Sequence, residues 1–529
     1  MSSIENNNGL QNSQNPLMDN KPIGESDIVA EVEKLLQTFE PVQHDQILDK
    51  LLDQIEKKDF RELTGIKDDQ VKLSKKHFLI CSIEEILRFA KLNSWGICIN
   101  HGFIYLYNGA YWKVIDVPEF KIFLGKAAER MGIDKYDARF YFFRDQLYNQ
   151  FLAVSHLPKP ENSNDLVLIN LKNGTFEISI EKQIIRPPQS KDFLLYQLPF
   201  EFDSNANCPK FLVFLNRVLP NKELQMILAE YLGYIFIKGY KLKLEKALLL
   251  YGPGSNGKSV FFDIVTALLG GDKNVSNYPL QSLTDQNGYH RAKLSNVLVN
   301  YSSEINGKMD PSVFKKLVSG EPVDARLPYG EPFTLSNYGK LMFNCNELPK
   351  DVEHSPAYYR RFLIIPFSVT IPESEQDKQL SNKIIQNELP GVFNWMLEGL
   401  KRLLFQKDFT KCEFVKMQIE EFKKESDTTL LFLEDENYAV STNDYKELRD
   451  LYNDYRYYCI ESGYHQCSKR SFSQRLKNNG FSLERRNTGM IVFIKKENVF
   501  LNATLPTLPA LPTLKFDSGE SEGSEASEE

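Results

Sequence analysis

The chain lacks any apolar stretch as long as the roughly 18 residues that a membrane-spanning helix requires, and its N-terminus is polar. No helical membrane span and no secretory signal are therefore expected. Cysteine is sparse, with seven among 529 residues, no C-x-x-C pair, and no two closer than Cys459 and Cys467. That spacing speaks against a disulfide framework and a structural zinc site, and for reduced thiols in a cytoplasmic protein. A basic excess is missing too, the net charge being −7. Yet Asp517, Glu520, Glu522, Glu525, Glu528 and Glu529 all lie in the last thirteen residues, and the remainder is close to neutral. Local basic patches are still able to meet nucleic acid. What is present is ordinary globular composition, 42% hydrophobic and 26% charged, in a chain long enough for several domains.

Taken in order, residues 1–26 are rich in Asn, Ser and Gln and are expected to be disordered. Residues 27–92 repeat apolar positions at helical spacing, as at Ile28, Val32, Leu35 and Leu36. The texture then changes to an α+β domain over 95–242. ICINHGFIYLYNGAYWKVI alternates around Asn-Gly as a hairpin does, and further strands are expected at DLVLINL and FLLYQLPFEF, the first followed by the turn Lys172-Asn173-Gly174. His101 and His156 are isolated and read as structural. Helical periodicity returns over 211–239 and leads into the region 243–404. A charged helical stretch, 412–426, opens the segment 412–498. Its remainder reads as one helix from Tyr445 to about Ile460, a second capped by Ser468 and closed at Asn479-Gly480, and two strands, FSLERR and MIVFIKK, around Asn487-Thr488-Gly489. That order suits a winged-helix-like domain. Residues 501–529 form a low-complexity acidic tail.

The most informative stretch is ALLLYGPGSNGKSVFFDIVTALLG, residues 247–270. Gly252, Gly257, Lys258 and Ser259 fit G-x-x-x-x-G-K-[ST] between an apolar strand and a helix. Such a loop, here Gly252, Pro253, Gly254, Ser255, Asn256 and Gly257, turns backbone N–H groups around phosphate oxygens. Lys258 is placed to reach the β- and γ-phosphates, Ser259 to bind magnesium, and the helix points its positive end at the same anion. ATP and Mg2+ are the expected ligands.

Downstream segments supply further chemistry. NVLVNYSS is a second strand ending at Glu304, a candidate to order magnesium or polarise water. Asp310 caps a helix with Pro311 in its first position, so Lys315 and Lys316 fall near its end. GEPVDARLPYGEPF reads as a tight hairpin or loop carrying Arg326 and Tyr329, a cation and an aromatic that on a projecting loop suit single-stranded nucleic acid. KLMFNCN is a third strand that ends at Asn346, whose amide is able to orient a water. Arg360 and Arg361 precede the strand FLIIPF; a neighbouring subunit's nucleotide or an internal carboxylate would be their partner. In the C-terminal segment Lys469, Arg470, Arg475, Lys477, Arg485, Arg486, Lys495 and Lys496 face few acids in sequence, which suits phosphate contacts.

GPGSNGKS, NVLVNYSSE, KKLVSGEPVDARLPYGEPF, KLMFNCNELP and YYRRFLIIPF stand in the order and spacing of superfamily 3 helicases. The chain most resembles their phage and plasmid primase-helicase branch, related to poxvirus primase-helicases. The resemblance is strong over 243–404 and weaker upstream to about Trp95. It implies an α/β P-loop core of AAA+-like type, preceded by the α+β domain and followed by the winged-helix-like one. It further implies a homo-hexameric ring that hydrolyses ATP, travels 3′ to 5′ on single-stranded DNA and unwinds forked DNA. By motif, Lys258 and Ser259 hold phosphate and magnesium, Glu304 is the second-motif acid, Asn346 the sensor, and Arg360 or Arg361 the arginine finger. The block from Lys315 to Tyr329 holds the DNA-contacting loop. Ser303 departs from the pattern, standing where many P-loop ATPases have an acid beside Glu304. No carboxylate pair with a nearby histidine resembles a primase site, so a separate primase is an expected partner. Two other readings are weighed: an origin-binding protein whose ATPase only switches its assembly, and a primase.

Overall fold

The computed structural model describes residues 41–497 except 69, 101, 156–165, 239–240, 304, 306–308, 328–329, 350–352 and 488. The expectations for residues 1–26 and 501–529, for the helical spacing at Ile28 to Leu36, and for His101, His156, Glu304 and Tyr329 lie outside the described residues. The chain divides into two compact units, Met1–Ser426 and Asp427–Glu529.

The first unit begins with α1 (His44–Gln54) and α2 (Lys75–Leu92). After the strands β1 (Gly96–Asn100), β2 (Phe103–Tyr107) and β3 (Trp112–Ile115) come α3 (Val117–Arg130) and α4 (Tyr141–Val154). Ile47, Leu51, Ile83, Ile86, Phe120, Leu124 and Leu147 recur at helical spacing and close one apolar core among these helices. The expected hairpin is part of a three-stranded antiparallel sheet, β1-β2-β3. A second antiparallel sheet joins β4 (Val167–Leu171), β5 (Gly174–Ile178) and β6 (Gln183–Arg186).

One expected strand is corrected: FLLYQLPFEF joins no ladder, and its first residue, Phe193, has φ 48°. Leu194, Tyr196, Leu198 and Phe200 are buried alternately, which is the period that sequence reading detects. Their backbone, however, splits its bonds between two sheets. Trp112 N–H donates to Leu194 O at 2.8 Å, Leu198 N–H to Asn170 O at 2.8 Å, and Lys172 N–H to Phe200 O at 3.1 Å. Pro199 has no N–H with which to continue a ladder.

Helices α5 (Pro209–Val218) and α6 (Lys222–Tyr234) lead into β7 (Ala247–Tyr251), which is followed by α7 (Lys258–Leu268) and β8 (Val275–Ser276). Next come β9 (Val299–Ser302), α8 (Pro311–Ser319), the hairpin β10 (Val323–Arg326) and β11 (Pro332–Leu335), β12 (Lys340–Cys345) and β13 (Phe362–Pro366). The unit closes with α9 (Leu389–Gln406) and α10 (Glu413–Ser426). Five of the strands form one parallel sheet in the order β13-β7-β12-β9-β8. Buried on both faces, such strands read as continuous apolar runs. Leu248 and Leu250 face one core, with Phe214, Phe261, Phe393 and Leu400. Ala247 and Leu249 face the other, with Phe314, Tyr358 and Phe422.

The second unit comprises α11 (Thr428–Asp435), β14 (Tyr438–Glu447), α12 (Leu448–Glu461), α13 (Lys469–Asn478), β15 (Leu483–Arg486) and β16 (Gly489–Lys496). Its strands pair antiparallel in the order β14-β16-β15. The expected helix start at Tyr445 is corrected, since Tyr445, Lys446 and Glu447 pair with Phe493, Val492 and Ile491 and the helix begins at Leu448. An irregularity between Val440 and Tyr445 breaks the strand's alternation, so sequence period alone does not display it. The expected cap is present, Ser468 Oγ accepting from Ser471 N–H at 3.2 Å.

Candidate functional site

The end of β7 delivers the chain into a loop at the C-terminal edge of the parallel sheet. Gly252 N–H donates to Cys345 O at 3.2 Å, and Phe367 N–H donates to Tyr251 O at 2.7 Å, so the loop springs from between β12 and β13. Gly257 has φ 86°, and a Cβ there would lie 2.7 Å from Val218 Cγ1 and 2.9 Å from Phe214 Cε2. The second motif glycine thus answers to the packing of α5 beneath the loop as well as to its turn. Gly254, by contrast, has open space around it.

Lys258 opens α7 and is buried. Its ammonium donates to Gly252 O at 2.6 Å, Pro253 O at 3.0 Å and Asn256 Oδ1 at 3.0 Å, which uses all three of its protons. Burial pushes the Lys258 pKa below the ordinary lysine value. Asn256 is itself buried and donates from Nδ2 to Phe367 O at 2.8 Å, fixing the amide that holds the lysine. Ser259 is exposed in the first turn of α7, where backbone N–H groups have no intrahelical acceptors. A neutral, glycine-bearing loop with an ammonium at its centre and a helix N-terminus behind it has the donor set for a polyphosphate with its divalent cation.

Register places the other candidates. Cys345 is level with Tyr251, and Phe343 with Ser302. Asn346 and Ser303 therefore emerge at the same sheet edge as the loop, both exposed. Buried Asn344 is occupied inside the sheet, accepting from Tyr301 O–H at 2.9 Å.

The arginine pair lies at the opposite edge, because Phe362 is level with Ala247 at the start of β7. Five strand residues, about 13 Å, separate the pair from its own loop. The two arginines differ. The Arg361 side chain is 9% exposed and donates to Ala357 O and, at 3.1 Å, to Ser319 Oγ. The Arg360 side chain is 64% exposed. Both face Glu245, Arg360 Nη2 at 3.3 Å and Arg361 Nη2 at 3.6 Å from its Oε2. Burial works to raise the Glu245 pKa, but hydrogen bonding from Lys243 and the charges of Arg361, Lys243 and Arg360 outweigh it and hold the carboxyl below its usual range. Sequence reading missed Glu245; it precedes the strand by two residues, and nothing local marks it as the arginines' partner.

On the hairpin side, Asp310 caps α8 by accepting from Ser312 and Val313 N–H at 2.8 and 3.1 Å. Lys315 pairs with Glu353 at 2.9 Å, whereas Lys316 is exposed. Arg326 is exposed at the end of β10, donating from Nε to Gly330 O at 2.8 Å.

In the second unit the expectation that the basic residues face few acids is corrected. Arg475 Nη1 lies 3.0 Å from Asp427 Oδ1, and Arg486 Nη2 3.6 Å from Glu484 Oε2. Lys495 and Lys496 pair with Glu497 and Glu436. Asp427 and Glu436 come from outside the basic segment, so reading that segment by itself overstates its charge. Arg485 is exposed. Lys469, Arg470 and Lys477 converge on a 440 Å³ groove along α13 with Gln474.

Family models match three segments of the chain. Residues 87–220 match "D5 N terminal like", residues 250–361 a "Family of unknown function (DUF5906)", and residues 424–508 "Poxvirus D5 protein-like". The segments on either side of the glycine loop thus match D5-like domains of primase-helicase type, which points to a replication-related enzyme acting on DNA. Among solved structures the chain is similar to the apo C-terminal region of NrS-1. One such structure is 12% identical, covers 77% of this chain and 97% of its own, and has a TM-score of 0.41. An A form of the same region is 12% identical, covers 77% and 98%, and has a TM-score of 0.43. Another A form is 13% identical, covers 64% and 74%, and has a TM-score of 0.41. No helix among the described residues is long and apolar enough to cross a membrane.

Proposed function

We propose that this chain is an ATP-dependent DNA helicase of the superfamily 3 type, unwinding forked DNA during replication of a phage, plasmid or integrated element. The observation that carries the reading is the separation of its two cationic groups. Lys258 stands in the loop at one edge of the sheet and Arg360 at the other. One subunit cannot close both on a single triphosphate, but a ring of like subunits brings the loop of one against the arginine edge of the next.

In this reading Lys258 exchanges the oxygens of Gly252 and Pro253 for the β- and γ-phosphate oxygens of ATP, while Asn256 keeps the ammonium in place. Ser259, with Glu304, would hold a magnesium ion, which would supply neutralisation of phosphate charge. Asn346, level with the loop, orients the attacking water. The arginine from the neighbour meets charge that develops on the transferring phosphoryl group, a contribution of about 10³–10⁵ in rate in enzymes of this type. Arg360 fits that role by its exposure, having only its 3.3 Å pair with Glu245 to leave, whereas Arg361 would have to leave Glu245, Ser319 and Ala357. Arg326 and Lys316 take the single strand inside the ring, with Tyr329 as the stacking partner. Lys469, Arg470 and Lys477 contact DNA from the second unit. The groove on α13 also keeps the origin-binding reading in view. In that case deleting residues 442–496 removes the main activity, whereas a motor retains unwinding of a preformed fork.

The test is strand separation of a fork with and without ATP. The reading predicts ATP-dependent separation by the wild type and none by Lys258→Ala. Full separation by Lys258→Ala contradicts it.

A further inference from the structure

We infer that a cavity in the domain ahead of the parallel sheet is a binding cleft for a nucleotide unit of single-stranded DNA. The cavity measures about 610 Å³ and lies between the end of α2, the β2–β3 turn, the β4–β5 turn and the segment after β6. That volume is in the range of small-ligand sites. Among the described residues its lining includes Lys91, Lys172 and Lys191 and no carboxylate. The three lysines come from three separate segments and are all exposed, so their charges converge on the cleft from different sides. Trp95 supplies a half-buried indole at the wall, and the backbone of Gly109 forms another part of it. An aromatic face beside convergent ammonium groups is the chemistry that receives a base and its phosphates.

The position of the cleft selects a strand over a free nucleotide. Tyr107 in its wall ends β2, and Phe103 begins the same strand about 13 Å away. The Phe103 ring lies 6.0 Å from that of Phe333 on β11, the partner strand of the one carrying Arg326. Tyr105, between them on β2, donates from its O–H to Asn296 Oδ1 at 3.4 Å. One strand thus runs from the cleft to the hairpin proposed to grip DNA, and a single strand held by Arg326 has a basic, aromatic stop beyond it. The choice of DNA as ligand rests on the helicase reading; the cleft's nucleotide chemistry does not.

Tryptophan fluorescence of the full chain tests the inference. Trp112 is buried and Trp395 packs on Phe211 at 5.1 Å, so Trp95 is the indole open to the cleft. Titration with oligo(dT) is expected to quench emission, and Trp95→Phe to abolish the change while its melting temperature stays near that of the wild type. Stacking on one aromatic carries roughly 5- to 150-fold in affinity. The double variant K91E/K191E, altering two exposed side chains, is expected to move the quenching midpoint upward about tenfold or more and to make its salt dependence shallower. Quenching that survives Trp95→Phe unchanged, or a midpoint indifferent to K91E/K191E, overturns the cleft. Equal quenching by dTMP at the same concentration overturns the strand assignment and leaves a mononucleotide site. ATP hydrolysis is measured in parallel with and without forked DNA: its absence from the wild type under both conditions removes the helicase reading while the quenching result still decides the cleft.

Discussion

Lys258 and Asn256 are joined by a 3.0 Å hydrogen bond, and the same Asn256 amide is anchored at 2.8 Å to the carbonyl of Phe367. The lysine of the glycine loop is thereby tied through one side chain to the residue just after β13. Asn256→Ala removes both bonds and leaves the buried Phe367 oxygen without that donor. It is expected to cost about 1–3 kcal/mol of stability and, under the proposed function, to raise the KM for ATP by about tenfold, while Lys258→Ala is expected to abolish hydrolysis. Denaturant unfolding and steady-state kinetics check the two effects separately.

The two glycines Gly257 and Gly254 part company in the same loop. Gly257→Ala places a Cβ 2.7 Å from Val218 Cγ1 at a φ of 86° and is expected to destabilise by roughly 1–3 kcal/mol. Gly254→Ala meets nothing within 4 Å and is expected to stay within about 0.5 kcal/mol of the wild type. Melting temperatures of the two variants give the comparison, and equal losses contradict this account of the loop.

The adjacent arginines are separable in the same way. Arg361→Ala removes a buried guanidinium bonded to Ser319 and Ala357 and is expected to lose about 2–4 kcal/mol of stability. Arg360→Ala removes an exposed group, is expected to cost less than about 1 kcal/mol, and under the ring reading loses ATP hydrolysis in a folded protein. Urea midpoints set beside hydrolysis rates decide the assignment. A stable, inactive Arg361→Ala and an active Arg360→Ala would reverse it.

These contrasts mark where sequence reading reached and where it stopped. The strands at Ala247–Tyr251, Lys340–Cys345 and Phe362–Pro366 were legible because strands buried on both faces spell unbroken apolar runs. The cap at Asp310 and the hairpin at Val323–Leu335 were legible because capping and turn chemistry are local. Relations across the fold were not. The packing of Gly257 on Phe214 and Val218 joins residues about forty apart, and Glu245 meets the arginines across more than a hundred. Asp427 claims Arg475 from the far end of the second unit. The extended segment at Leu194–Phe200 had the right period, yet pairing partners, which period does not encode, decide whether such a segment becomes a ladder strand.

His44 supplies a pH dependence. It is 7% exposed, its ring meets Tyr111 at 4.6 Å, and Nε2 donates to Tyr111 O at 3.1 Å. Burial lowers its pKa from 6.5 to about 4. Between those values the unfolded chain binds a proton that the folded one refuses, so stability falls as pH drops from about 6.5 to 4. The loss reaches about 3 kcal/mol from this group. His44→Gln keeps a donor for Tyr111 O without a titrating ring and is expected to flatten that part of the pH–stability curve. An unchanged slope contradicts the assignment.

The central claim, a nucleotide site shared between two copies of the chain, is tested most directly by mixing two inactive variants. Lys258→Ala keeps its arginine edge and Arg360→Ala keeps its loop, so in equally mixed rings about a quarter of the interfaces pair an intact loop with an intact arginine. ATP hydrolysis by the mixture is predicted to recover to about that fraction of the wild-type rate, while each variant alone stays inactive. A mixture as inactive as its components, under conditions where the subunits are shown to exchange, contradicts the shared site.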